Sequence, residues 1–262
     1  MGTSADQVTY VRRGAAALVT IDRPERRNAV DGPTADALEA ALDRFEADEQ
    51  ARVFVLTGTG GEAFCAGADL QAIETLAPRV DGASGPLGFT RRTTTKPTIA
   101  AIDGWCVAGG LELALWCDLR VATPRSRFGC LERRWGVPLI DGGTQRLPRV
   151  VGLGRALDQI LTGRVVAAAE ALAMGLVTTV TEDARDAAVT AALALAETLA
   201  AFPQETMLAD RRAALDGVGL PFADGLDLER RLGGATVGVG FTGAQRFAAG
   251  AGRGGAAESA ST

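Results

Sequence analysis

An α/β fold is predicted by three features of the sequence. Two short, wholly apolar runs, Val53-Phe-Val-Leu-Thr57 and Thr98-Ile-Ala-Ala-Ile102, have the character of strands buried on both faces of a parallel sheet. Segments with apolar residues at helical spacing alternate with them, such as Ala37, Leu38, Ala41, Leu42 and Phe45. Ala- and Leu-rich helical stretches then crowd the last third of the chain.

The elements follow in order. Val8 to Arg12 and Ala16 to Ile21 read as a strand pair turned at Gly14. Asp22 to Asn28 is a polar loop, and Thr34 to Ala47 is the first helix. The strand Val53 to Thr57 ends at Gly58-Thr-Gly-Gly61, and Asp69 to Ala77 has a helical pattern. Val80 to Gly88 is rich in Gly and Pro and reads as a mobile surface loop. After Thr98 to Ile102 come an apolar helix, Gly109 to Cys117, and a strand, Leu119 to Ala122. Short helices are expected at 144–147, 154–161 and 167–174, with a strand at 177–180. Helices at 184–201, 206–215 and 224–232 complete the pattern. No repeat or linker separates two full domains.

Composition narrows the function. The 262 residues carry a net charge of -5, and the only lysine is Lys96, so the chain is a poor general nucleic-acid binder. No apolar stretch reaches the roughly 20 residues of a membrane span. The first residues lack the basic and apolar parts of a signal peptide, so a cytoplasmic protein is expected. Cys65, Cys106, Cys117 and Cys130 form no CxxC pair and read as reduced, buried thiols. With no histidine, a metal site is not expected, and a Ser-His-Asp triad is impossible.

Proton transfer near neutral pH must then come from carboxylates, cysteines, Lys96 or Tyr10. Glu112 is set among Leu111, Leu113, Ala114, Leu115 and Trp116, where apolar burial would raise its pKa and the helix dipole would lower it. Its ordinary reading is a first-turn glutamate. Glu132 follows Phe128-Gly129 and precedes Arg133-Arg134, and its ordinary reading is a surface ion pair. Asp141, in Ile140-Asp-Gly-Gly, is a third candidate acid or a plain turn residue. Two glycine-rich strand-to-helix turns, Phe64-Cys-Ala-Gly-Ala-Asp-Leu70 and Gly104 to Glu112, offer backbone amides to an anion or a developing oxyanion. Lys96, just before Pro97, reads as a solvated loop residue. Gly250 to Gly255 fits GxGxxG but has no strand before it, so it is set aside.

Taken together, several segments resemble the crotonase, or enoyl-CoA hydratase/isomerase, superfamily. They are Asp22-Arg-Pro-Glu-Arg-Arg-Asn-Ala29, Phe64 to Leu70, Lys96 to Trp105, Ala108-Gly-Gly-Leu-Glu-Leu-Ala114, Cys117-Asp-Leu-Arg120, Phe128-Gly129 and Gly142-Gly-Thr-Gln-Arg-Leu-Pro148. The order and spacing match over roughly residues 8 to 250. The resemblance implies a spiral of ββα units over 1–195, a helical oligomerisation region over 196–250 that forms trimers or hexamers, and a disordered tail over 251–262.

It also implies an acyl-CoA thioester as substrate and no cofactor beyond the coenzyme A the substrate carries. By position, the amides of Ala68 and Gly109 resemble the pair that holds the thioester oxygen. Glu112 matches the acid that helps activate water for addition at Cβ. Glu132 matches the acid that holds that water and protonates Cα. Arg26, Ala29, Ala66, Asp69, Leu70, Gln71, Gly110 and Asp141 fall at substrate- or CoA-binding positions, and the Val80 to Gly88 loop with the helix behind it is expected to shape the acyl pocket. Having both glutamates implies a hydratase making 3-hydroxyacyl-CoA from trans-2-enoyl-CoA. The alternatives are an enoyl-CoA isomerase or another enzyme of the superfamily, and from a different class an acyl-CoA or RNA binding protein that has lost catalysis, with the scarce lysine and acidic balance arguing against RNA. Ala108 stands where hydratases often have a third glycine, and because it keeps its N–H the expected loss is small.

Overall fold

The computed structural model describes residues 7–251. Residues 1–6, read above for a leader, and 252–262 of the expected tail lie outside the described residues. The chain divides into two compact units, Met1–Ala196 and Glu197–Thr262.

The first unit opens with β1 (Val8–Arg13) and β2 (Ala16–Ile21), an antiparallel pair. Gly14 turns it at φ +56°, a conformation that costs glycine little. Helix α1 (Gly32–Ala47) starts where the Asp31 carboxylate accepts the Thr34 amide, a cap worth about 1 kcal/mol. Its C-terminal end is closed by Lys96, whose Nζ donates to the carbonyls of Phe45 (2.8 Å) and Asp48 (2.9 Å). Lys96 is thus no solvated loop residue. Unsatisfied carbonyls at the negative end of a helix draw a cation there.

Three pairs of strands follow. β3 (Val53–Gly58) is followed by β4 (Ala63–Cys65), β5 (Thr98–Ile102) by β6 (Trp105–Val107), and β7 (Leu119–Ala122) by β8 (Arg127–Gly129). With β9 (Val166–Ala167) and β10 (Thr179–Val180) they build two sheets. One has the order β1-β2-β3-β5-β7-β10, the other β4-β6-β8-β9. Each pair gives one strand to each sheet, in parallel register, so the chain advances as a spiral. Phe54 of β3 anchors the core, with edge contacts to Phe45 (5.3 Å), Phe89 (5.8 Å) and Trp116 (5.9 Å).

Helix α2 (Gly109–Trp116) leaves β6 buried on every side. Its N-terminal glycines are required by close approach. A methyl group on Gly110 would lie 2.0 Å from the Cys65 carbonyl oxygen. Buried Arg120 closes the other end, donating to the Ala114 (3.3 Å) and Cys117 carbonyls. Helices α3 (Gly143–Val151), α4 (Leu153–Thr162) and α5 (Ala168–Ala173) complete the unit, and α6 (Ala187–Ala201) crosses its boundary.

The second unit holds α7 (Gln204–Asp216), α8 (Phe222–Gly234) and α9 (Val237–Ala248). None of these three helices has a buried residue, and Phe222, Leu226, Phe241 and Phe247 are exposed. Among the described residues, no single helix is long and apolar enough to cross a membrane.

Two sequence expectations are corrected. The helix over Asp69 to Ala77 is a 3-10 segment, Ile73–Arg79, with Pro78 inside it. Asp69 diverts the backbone before it by accepting the Gln71 amide (3.1 Å), and Pro78 removes a donor. The surface loop over Val80 to Gly88 is exposed only in its first half. Gly85 to Gly88 are buried, along with Phe89 and Thr90 that follow.

Candidate active site

The two glycine-rich turns meet. Val30 pairs with the first: its amide donates to the Gly67 carbonyl (2.8 Å), and its carbonyl accepts from Asp69 (2.8 Å). Between those bonds, the Ala68 N–H has no partner among the described residues. Gly67 is held at φ +94°, and a methyl group there would lie 2.7 Å from the Gly109 nitrogen. A methyl group on Gly109 would fall 3.6 Å from the Ala68 nitrogen. Gly109 opens α2, so its N–H has no carbonyl within the helix to bond and carries the positive end of the helix dipole. Two adjacent amides, unpartnered among the described residues, thus stand at a cavity of about 580 Å³ lined by Ala68, Gly109, Glu112, Glu132 and Asp141 among others.

Glu112 is buried one turn into α2. Its Oε1 accepts the amides of Asp141 (2.9 Å) and Gly143 (2.7 Å). Gly143 must lack a side chain, because a methyl group would stand 2.9 Å from that oxygen. Burial, and then the nearby charge of Asp141, push the Glu112 carboxyl up to about 8. The two amides pull the other way and are outweighed.

Glu132 sits in the 3-10 segment Leu131–Trp135. Both its carboxylate oxygens are buried without a hydrogen-bond partner, and burial raises its pKa. It is not the surface ion-pair residue of its ordinary reading. Its neighbours Arg133 and Arg134 point away, to the carbonyls of Ile160 (3.2 Å) and Gly163 (3.4 Å). Buried acids with proton affinities lifted toward neutrality, beside amides that can hold an oxyanion, can polarise a carbonyl and exchange protons with its neighbouring carbons.

The structure brings Ala66, Ala68, Leu70, Gly109, Glu112, Glu132 and Asp141 to this one cavity. The other predicted positions do not line it. Arg26 and Gln71 are hydrogen-bonded to each other at the surface. Asp69 is buried and bonded to Arg23 (3.1 Å), which also pairs with Asp31 (2.9 Å). The Ala29 carbonyl also accepts from Arg23, and Gly110 packs on Cys65. The Val80 to Gly88 loop does reach the cavity, through Val80, Pro86 and Leu87, but sequence reasoning named none of these residues individually, nor the apolar lining of Ile73, Leu76 and Ala77. Its signal was present, since these residues recur at spacings of three and four.

Ala108 adopts φ +52° and ψ -131°, a region that side chains avoid. Its N–H is retained, donating to the Gly129 carbonyl (2.9 Å), so the cost of the methyl lies in the backbone. Such strain is of order 1–3 kcal/mol. Ala108→Gly recovers it, less the up to about 1 kcal/mol that glycine loses to unfolded-state entropy. Thermal melting should therefore show the variant more stable by a few degrees, with activity retained.

The family model for enoyl-CoA hydratase/isomerase matches residues 12–236. A protein of Rhizobium meliloti named "Probable enoyl-CoA hydratase" is 40% identical over 223 residues, 84% of this chain and 85% of its own. The (E)-benzylidenesuccinyl-CoA hydratase of Thauera aromatica is 36% identical over 223 residues, 84% of this chain and 86% of its own. The crystal structure of an enoyl-CoA hydratase from Mycobacterium marinum superposes with a TM-score of 0.83 at 36% identity, covering 92% of this chain and 95% of that one.

Proposed function

The chain belongs to the enoyl-CoA hydratase/isomerase family, and we propose that it hydrates trans-2-enoyl-CoA thioesters. The observation that carries this is the meeting of Glu112, Glu132 and the Ala68 and Gly109 amides at one cavity. The amides take the thioester oxygen as it gains enolate charge, where one donor is worth about 3 kcal/mol. Glu112 and Glu132 handle the water. Its oxygen bonds to Cβ, a proton goes to Cα, and the carbon–carbon double bond becomes single. Coenzyme A arrives with the substrate, and no other cofactor enters. The exposed phenylalanines of α8 and α9 support assembly as a homotrimer or hexamer through the region 196–250, which follows the spiral core over 1–195 in the chain. A cytoplasmic location is part of the proposal, consistent with four free thiols.

The rest of the lining indicates which acyl groups fit. It is almost wholly apolar, from Leu70, Ile73, Leu76, Leu87, Ile140 and their neighbours, and its ionisable groups are all carboxyls. The nearby guanidinium of Arg146 is committed to the Asp141 and Thr90 carbonyls, and that of Arg91 to Val80, Gly82 and Ile140. A carboxylate on the acyl group would lie among acids and meet no cation in the described lining. Neutral, apolar enoyl-CoAs should therefore exceed a carboxylated analogue in kcat/KM by about 10-fold or more, the cost of one uncompensated charge contact. Loss of the conjugated enoyl-thioester ultraviolet band reads the rate. An isomerase would leave that band intact with a trans-2-enoyl substrate and create it from a 3-enoyl substrate.

A further inference from the structure

We propose that Asp141 is a positioning residue that clasps the buried loop Gly85–Thr90 to the stretch of chain holding Glu112. Both walls of the cavity run through it. Its Oδ1 accepts the Leu87 amide (3.0 Å) and the Thr90 hydroxyl. Its own amide donates to Glu112 Oε1 (2.9 Å). Its carbonyl accepts from Arg146 Nη1 (2.9 Å), while Arg146 Nη2 donates to the Thr90 carbonyl (2.6 Å). Arg91 adds a tie from the loop to the Ile140 carbonyl (3.2 Å).

Leu87 is what the clasp places. A methyl group on Gly109 would lie 2.4 Å from Leu87 Cδ1, so Leu87 is the side chain seated against the Gly109 backbone. The loop leaves no slack. Gly85 is at φ +88°, and a methyl group there would strike the Thr90 hydroxyl at 2.4 Å and approach Asp141 Oδ1 at 3.3 Å. One buried aspartate thus sets the distance between the amide wall and the acid wall through bonds at its side chain and main chain. Its charge also acts on Glu112. The other ionisable groups that Glu112 senses are Glu132, Arg146 and the Cys130 thiol. After burial itself, the Asp141 carboxylate is the group that raises the Glu112 pKa most.

The proposal rests on the hydration reading for its kinetic consequences but not for its structural one, so the test has two arms. Hydrogen exchange of the Leu87 amide in Asp141→Ala should accelerate by about 10-fold or more, the size expected for losing a hydrogen bond to a charged group. Asp141→Asn keeps an acceptor oxygen and should leave Leu87 protected. Removing the neighbouring negative charge eases ionisation of Glu112, so the limb of the kcat–pH profile that reports Glu112 should move to lower pH in Asp141→Asn. A residue needed only for folding would change the melting temperature and leave that limb in place. Unchanged exchange in Asp141→Ala, or an unmoved limb in Asp141→Asn, overturns the proposal. If Asp141→Ala does not fold, Thr90→Val asks the same exchange question by removing one donor, and unchanged exchange at Leu87 again overturns it. A wild type that hydrates no enoyl-CoA refutes the hydration reading and leaves the exchange result to decide the clasp.

Discussion

Glu132→Gln should lower kcat for hydration by about 10²-fold or more, the usual loss for a general acid or base, without unfolding the protein. Loss and tolerance have the same origin. Both Glu132 carboxylate oxygens are buried without a partner on any other described residue, so glutamine would break no tie to the rest of the fold. A buried, unpaired carboxylate is instead a burden on the fold. Its pKa is raised by burial, so the folded chain holds the proton more tightly than the unfolded chain does. Stability therefore declines as pH rises from the ordinary carboxylate range through the folded value. Glutamine cannot ionise. Melting curves of the variant against wild type should diverge in favour of the variant as pH is raised.

Glu112→Gln should also cost about 10²-fold or more in kcat. Its amide oxygen can still accept from Asp141 and Gly143, which keeps the local geometry. The two losses should not add in the double variant if the acids serve one proton-transfer unit. A wild-type rate in either single variant would remove that residue from the mechanism.

How much of this was legible depended on the length scale of the signal. Strands of five or six residues such as 53–58 and 98–102 declared themselves, because a strand buried on both faces must be continuously apolar. Strands 63–65, 105–107 and 127–129 have three residues each, too few for any period, and the sequence shows only glycine-rich turns there. The second sheet, whose strands β4 and β6 lead into Ala68 and Gly109, was therefore invisible as a sheet although its turns were recognised.

Glu112 was found because apolar neighbours betray a buried acid, and Glu132 only because its position matches the second acid of the family the chain resembles. That Glu132 is buried alone was not legible, since adjacent Arg133 and Arg134 suggested an ion pair that the backbone turns away. Asp141 could equally be a turn residue, because Gly142 follows it. The partners that reveal it, Leu87 and Thr90, lie more than fifty positions earlier in the chain. Helix α9 was missed because its four-residue run Val237-Gly-Val-Gly240 argues against a helix.

Gly109→Ala should be the most damaging single methyl group in the cavity, lowering kcat by about 10²–10³-fold, as expected when an oxyanion donor is lost. The added carbon meets Leu87 Cδ1 at 2.4 Å, the far end of a flexible side chain that can give way. It also stands 3.6 Å from the Ala68 nitrogen, within the space between the two amides where the proposal puts the thioester oxygen. The fold should survive while the oxygen is excluded. Gly110→Ala is the control that separates the two effects. Its methyl meets the Cys65 carbonyl oxygen and carbon at 2.0 and 2.6 Å, both backbone atoms of β4 that cannot turn aside. That variant should lose stability by several kcal/mol, as overpacking against fixed backbone does. Circular dichroism and steady-state kinetics on both should therefore give a folded, inactive Gly109→Ala and a destabilised Gly110→Ala. A fully active Gly109→Ala would show that no oxyanion occupies the space between Ala68 and Gly109, and the two glutamates would then need a different substrate geometry.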